Sequence, residues 1–359
     1  MKKILAMLLA LTLIFTLAAC QKDPATDPDD GPEVGGSAGT DDPGQSDDGT
    51  EADDSNPGGD DPVDPIPPKV QGYYEIPSGE AALAAAGLLD TEYYSLFDSS
   101  AISLTAAARQ PVMFKEGTLD AAIVSTQDAL KIYNDTDGAV ELAAVTTAGS
   151  LQLVEVGDTV HTIYDLAGKT VYVAADDTIR YRSGDAKIFE YILTEYGFDI
   201  GDGIFLEYVG INEFMEKVDA GEATLGILPA SDAVKVTTSI PGARIAISLA
   251  DEWENVTGRT LLPDSCVIVR KGADAEFIGH FLTDLRDSAE HVADNIPAAL
   301  EHHLVSSEAE AAAILDVCDY LWLDGADNLR EALDLYLEVM YGLDPAAIGG
   351  SLPDDGFYR

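Results

Sequence analysis

From residue 69 onward, short runs of β-branched and apolar residues alternate with stretches whose apolar positions recur at helical spacing, and this alternation constrains the fold more than any other feature. Strands are expected over 72–76, 121–125, 142–146, 170–174, 205–209, 225–228, 244–248 and 266–269. Between them, 186–196 places Ile188, Phe189, Ile192, Leu193 and Tyr196 on one helical face, and 212–220 does the same with Phe214, Met215 and Val218. Such alternation argues for α/β sheets with covered faces, because helices that connect neighbouring strands lie on the sheet and bury it. The last hundred residues read as mainly helical. One stripe there is Phe277, Ile278, Phe281, Leu282 and Leu285, and another is Leu329, Leu333, Tyr336, Leu337 and Met340. Ser307 and Glu310 have capping-box spacing, and Gly342 is expected to stop the last long helix.

Two segments echo each other. "FKEGTLDAAIVST" (114–126) and "VDAGEATLGILPA" (218–230) align without gaps at an offset of 104. Each reads as a helix end, a glycine, a polar linker, a buried strand and a small polar or proline turn. Gly117 and Gly221 take the same place, where a left-handed helix C-cap needs glycine. Two α/β units would then each present a turn at the carboxyl end of a strand, where open α/β sheets bind ligands.

The N-terminal part has a different character. Lys2 and Lys3 precede sixteen mostly apolar residues and then small residues before Cys20, the layout of an export signal over 1–19. The chain turns polar directly after Cys20, short of the roughly 20 apolar residues that a permanent span needs. Residues 17–20, Leu-Ala-Ala-Cys, resemble the bacterial lipobox. That resemblance implies cleavage before Cys20 and acylation of its thiol and new amine, so Cys20 would hold the protein to membrane lipid; the competing reading is an ordinary secretory signal with an incidental cysteine. Residues 21–68 carry fifteen Asp or Glu, one Lys and almost nothing apolar, a composition that stays disordered. As a flexible coil this segment spans about 40 Å, and 20–68 reads as an acidic tether.

The remaining 291 residues hold 17 Lys or Arg against 50 Asp or Glu, a net −33, which excludes a nucleic-acid partner because phosphate contacts need basic surface. Of three cysteines, Cys266 and Cys318 sit in apolar surroundings that suit core packing. The histidines His161, His280, His291, His302 and His303 have no metal-site spacing. No nucleophile elbow, phosphate loop or zinc motif occurs, so neither a catalytic residue nor a cofactor is expected.

The runs "LDAAIVSTQDALKIYNDTDGAVELAAVTTAGSLQLVE", "IYDLAGKTVYVAADDT", "VDAGEATLGILPASDAV", "RIAISLADEWENV" and "DPAAIGGSLPDDGFY" resemble, in order and spacing, the substrate-binding lipoproteins of ABC importers. The subgroup is the nitrate, sulfonate and taurine, and thiamine-precursor type. This resemblance implies an α/β, two-lobed type II periplasmic-binding-protein fold with an interlobe ligand cleft and two crossing segments. Lobe 1 would comprise 69–147 and 259–359, and lobe 2 148–258, with crossings near 146–150 and 258–264 and the helices from 273 onward mainly on lobe 1. It further implies a monomer outside the cytoplasm, lipid-anchored to the bacterial cell membrane, that hands a small polar or anionic solute to a membrane permease.

Mapped onto the family's ligand loops, the candidate ligand-binding residues are Pro77, Ser78 and Gly79 after the first strand; Ser125, Thr126 and Gln127; Thr146 at a crossing; and, in lobe 2, Asp177, Thr178, Arg180, Tyr181, Pro229 and Ala230. Ser78, Ser125 and Thr126 serve equally well as helix caps. Arg180 and Arg182 would grip a carboxylate or sulfonate, or are solvated surface charge. Asp176 and Asp177 suit a cationic group or cap the next helix. Trp253 is a stacking platform or a core aromatic. The segment "FDSSAISLTAAARQPV" reads poorly as strand 2 and its loop. Two other readings compete: a sensory or adhesive lipoprotein of the same shape, and an enzyme of the pyrimidine-synthase branch, whose expected Cys-rich motif and reactive His are missing.

Overall fold

The computed structural model describes residues 72–89, 95–96, 106–175 and 183–359. The export segment, Cys20, the acidic stretch and the loop bearing Asp176, Asp177, Thr178, Arg180, Tyr181 and Arg182 lie outside the described residues. The first run of elements is β1 (Tyr73–Glu75), α1 (Glu80–Leu83), β2 (Ser95–Leu96), α2 (Ala106–Glu116), β3 (Ala121–Ser125), α3 (Thr126–Asp135) and β4 (Val140–Ala148). It continues with β5 (Gln152–Val156), β6 (Thr170–Ala175), α4 (Ser183–Glu195), β7 (Phe205–Gly210), α5 (Ile211–Asp219), β8 (Leu225–Leu228), α6 (Ala230–Ser239), β9 (Ala243–Ser248) and α7 (Leu249–Thr257). The last run is β10 (Pro263–Arg270), α8 (Ala275–Glu290), α9 (Ile296–Glu301), α10 (Glu308–Leu315), β11 (Asp319–Asp324) and α11 (Ala326–Leu343).

The strands form two sheets. The first has the order β11-β4-β10-β3-β1-β2, and the second has the order β7-β6-β8-β5-β9. In the first, β1 runs parallel to β2 and β3 while β10 runs antiparallel to β3 and β4. In the second, β6 is parallel to β7 and β8, and β5 is antiparallel to β8 and β9. The chain passes between the sheets twice, from β4 to β5 and from α7 to β10. The two passages touch: the Gly149 N–H donates to the Leu262 carbonyl at 2.9 Å.

The sequence echo is reproduced bond for bond. Gly117 and Gly221 have φ of 71° and 72°. After α2, the N–H groups of Gly117 and Thr118 donate to the carbonyls of Phe114 and Met113; after α5, those of Gly221 and Glu222 donate to Val218 and Lys217. This is the Schellman pattern, and it launches β3 and β8 at equivalent points.

Apolar burial occurs on both faces of each sheet. One cluster, with Tyr74, Ile123, Val267, Phe277 and Phe281, lies under α8; another, with Tyr172, Phe214, Val218 and Val236, lies under α5 and α6. A third is continuous from the inner side of the first sheet, through Leu151 and Leu262, to the α11 face of Leu333 and Tyr336 and the α4 face of Ile188 and Ile192. A fourth joins Leu83 of α1 to Ala230 and Val234 of α6 and to Ala311 and Ile314 of α10. Helices α10 and α11 therefore pack on α6 and α4 of the second sheet as well as on the first, more broadly than the sequence pattern implied.

The C-terminal part is mainly helical and also carries a strand, β11, which pairs antiparallel with β4. Two local expectations are corrected. Gly342 does not end α11; the helix continues to Leu343 and stops at Asp344, which has φ −152° and ψ 86° because it precedes Pro345 and is excluded from the α region. The Ser307 hydroxyl caps the Glu310 N–H, but the Glu310 carboxylate returns to the Ser306 N–H at 2.7 Å, so the box closes one residue early. Strand β5 is unforeseen because its buried positions include Gln152 and Glu155, each 2% exposed. Their partners are distant in sequence: the Gln152 amide donates to the Val317 carbonyl at 2.9 Å, and Glu155 accepts from Arg244 at 2.8 Å.

Candidate functional site

Two turns at the carboxyl ends of strands meet. Pro77, Ser78 and Gly79 connect β1 to α1, and Pro229 precedes α6 at its N-cap position after β8. Gly79 has φ 81° and ψ −153°, and a Cβ placed on it would lie 3.0 Å from the Ser231 hydroxyl oxygen. Ser78 is exposed, whereas Pro229 and Ala230 are buried. The contact is tightened by Glu80, whose Oε2 accepts the Ser231 N–H at 3.2 Å. Nothing local in the sequence marks Glu80 for this contact, since Ser231 lies 151 positions away.

The β3–α3 turn meets the second sheet's helices as well. Ser125 is the N-cap of α3: its Oγ accepts the Asp128 N–H at 3.1 Å and donates to Asp128 Oδ2 at 2.8 Å. Thr126 is fully buried and donates to the Asp264 carbonyl at 3.2 Å. Gln127 donates to the Ala347 carbonyl at 3.1 Å, and its Oε1 crowds the point where a Cβ on Gly184, in the first turn of α4, would stand. Only glycine admits so close an approach there.

Thr146 is placed elsewhere, inside the β4–β10 ladder. Its hydroxyl donates to the Ser265 carbonyl at 3.3 Å and shares a hydrogen bond with Ser265 Oγ at 3.1 Å. Thr147 donates to Asp264 Oδ2 at 3.1 Å and pairs with Ser265 Oγ. These hydroxyls fasten β4 to β10 where the chain crosses between the sheets. The stretch "VTTA" against "DSC" carried no signal for this, since nothing local says that the two face each other.

Further buried polar groups lie nearby. Glu75, the last residue of β1, forms a buried ion pair with Arg109 of α2 and accepts from Gln110 at 3.2 Å. The Tyr320 hydroxyl donates to the Glu80 carbonyl at 2.9 Å. Burial pushes the Tyr320 phenol and the Cys318 thiol well above their ordinary values, and the carboxylates of Glu80 and Asp264 push both the same way. Cys266 and Cys318 are both buried free thiols. Trp253 is 1% exposed and packs against Tyr191 at a ring separation of 5.7 Å, which makes it a core residue. Among the described residues no cluster of His, Cys, Asp and Glu suits a metal ion, and no helix is long and apolar enough to cross a membrane. Two surface cavities lie away from the turns: one of about 630 Å³ beside Glu213, Lys217 and Glu222, and one of about 240 Å³ between Arg286, Trp322 and Arg359.

Comparison with solved structures places this arrangement. An ABC transporter protein from Parabacteroides distasonis superposes with a TM-score of 0.61 at 18% identity, over 81% of this chain and 99% of that one. A putative periplasmic sulfonate-binding protein from Methylobacillus flagellatus KT gives 0.57 at 13%, over 81% and 92%. The chain has the fold of these binding proteins. The alkanesulfonate-binding protein from Xanthomonas axonopodis pv. citri, bound to MOPS, has a TM-score of 0.53 at 12% identity, over 81% and 96%. No family model and no curated protein matches the sequence. The turns at Gly79, Gln127 and Ser231 stand at the carboxyl ends of β1, β3 and β8.

Proposed function

We propose that this chain is an extracytoplasmic solute-binding lipoprotein. Held to the bacterial membrane through acylated Cys20, it captures a small polar solute of sulfonate-, nitrate- or pyrimidine-like size as a monomer and delivers it to the permease of an ABC importer. The lobes are 69–147 with 259–359, and 148–258. Pro77, Ser78, Gly79, Ser125 and Gln127 face the solute from one lobe, with the buried Thr126 fixing that turn from beneath, and Asp177, Thr178, Arg180, Tyr181, Pro229 and Ala230 face it from the other. Thr146 acts from behind, stiffening the crossing. The protein carries out no chemistry on the solute.

The observation that supports this reading is the convergence of turns: Gly79 on Ser231 and Gln127 on Gly184, beside two chain crossings joined through Gly149 and Leu262. Paired crossings of this kind are where two lobes hinge, and a solute that binds both lobes favours the closed form. Calorimetric titration of sulfonates, nitrate and pyrimidines, paired with small-angle scattering, tests it. One solute class is expected to bind and to leave a more compact or less variable particle. A panel without a binder, and a scattering curve that never changes, would refute the reading. For the anchor, Cys20→Ala should move the protein from the membrane to the soluble fraction, and an unchanged distribution would remove Cys20 from that role.

A further inference from the structure

The contact between the β1 and β8 turns contains a group that the fold alone does not require. Glu80 is the first residue of α1 and only 3% exposed. Its Oε2 caps the N-terminus of α6 through the Ser231 N–H, so a carboxylate from one lobe sits on the helix end of the other. Its Oε1 has no hydrogen-bond partner among the described residues, and no basic side chain among them pairs with it. The main chain of Glu80 is held by the Tyr320 hydroxyl, which donates to its carbonyl. A second carboxylate, Asp264, lies in electrostatic reach of the same Cys318 and Tyr320 side chains.

A carboxylate offers about four acceptor positions, and the one N–H donor from the protein leaves Oε1 free to accept from a solute. The N-terminus of α6 is the natural seat for an anion, and that seat is already taken by an anion belonging to the protein. A sulfonate or nitrate placed at this turn would meet a like charge at hydrogen-bond range. A cationic solute meets the opposite situation. It can donate to Oε1, and the −33 charge of residues 69–359 draws it towards the protein.

We infer that Glu80 is a specificity-determining residue of the cleft: its second carboxylate oxygen takes an ammonium, amidinium or comparable charged N–H donor of a cationic solute, and its charge bars anions. The inference rests on the solute-binding reading and narrows it, away from the sulfonate and nitrate classes. Matched probes test it by calorimetry on the purified full-length mature protein: benzamidine, benzamide and benzenesulfonate, with propylammonium, propionamide and propanesulfonate as the aliphatic set. The cation of at least one set is expected to bind at least tenfold more tightly than its neutral isostere, with no binding of the anion. Glu80→Gln, which keeps the shape and the Ser231 cap, should erase that cation-to-neutral ratio. A purely structural role would weaken both probes alike and leave the ratio intact. Anion binding equal to or tighter than cation binding, or a ratio unaffected in Glu80→Gln, overturns the inference and leaves the solute-binding reading standing. If no probe and no other solute binds, both fall.

Discussion

Gly79→Ala tests the geometry at its narrowest point. The native φ of 81° and ψ of −153° lie in a region that only glycine occupies without strain, and holding another residue there costs on the order of 1–3 kcal/mol. The added methyl would also stand 3.0 Å from the Ser231 hydroxyl oxygen, closer than such contacts normally come, although that oxygen can rotate away for a fraction of a kcal/mol. Together these give a loss of about 2–3 kcal/mol. In a domain of this size each kcal/mol lowers Tm by about 2 °C, so a thermal melt followed by circular dichroism should fall by about 5 °C. Adding Ser231→Ala to Gly79→Ala should recover only the steric share, well under half, because the backbone strain persists. A Gly79→Ala melt within 1 °C of wild type would refute both the strained turn and the close approach of α6.

Other perturbations separate charge from packing. Arg109→Met leaves Glu75 buried without its ion-pair partner and should cost about 3–5 kcal/mol by urea unfolding, while Arg109→Met with Glu75→Leu should return most of it; equal losses in the single and double variants would contradict this. Burial pushes the Glu155 carboxyl up, but hydrogen bonds from Thr159 and Val160 and the Arg244 guanidinium outweigh it and hold the group below the usual carboxylate range. Its stabilisation is therefore present above the unfolded pKa and lost as pH falls through the folded value. Arg244→Met should lose about 1–3 kcal/mol at pH 7 and progressively less towards pH 3, and a pH-independent deficit would count against the assignment. Burial also pushes the Cys266 and Cys318 thiols up, so neither should react with Ellman's reagent at pH 8 until the protein is denatured; rapid reaction of either in the native state would show that its burial is wrong.

Most of the architecture was legible because it is written in short-range pattern. The strand at 121–125 and the helix stripes at Ile188 and Phe214 follow from periodicity, and the echo at Gly117 and Gly221 follows from the one residue type that tolerates a left-handed C-cap. Where a strand carries buried polar groups, the pattern fails. Gln152 and Glu155 make β5 look like a loop until Val317 and Arg244 are brought beside them, and β11 is short, half-exposed and flanked by helices. The candidate site was legible as turns at strand ends and not as contacts: Ser125 announced a cap, but nothing announced that Gly184 would abut Gln127 or that Thr146 would face Ser265.

By itself, then, the sequence determined most of the strands and helices, where glycine must bend the chain, and the strong negative charge, since each of these depends on neighbours within a few residues or on totals. Only the tertiary structure decided that Glu80 lies on the N-terminus of α6, 151 positions away, and that the two crossings share a hydrogen bond. Whether a buried carboxylate is a cap, a latch or a ligand for a cation depends on what surrounds it in space, and chain order does not encode that.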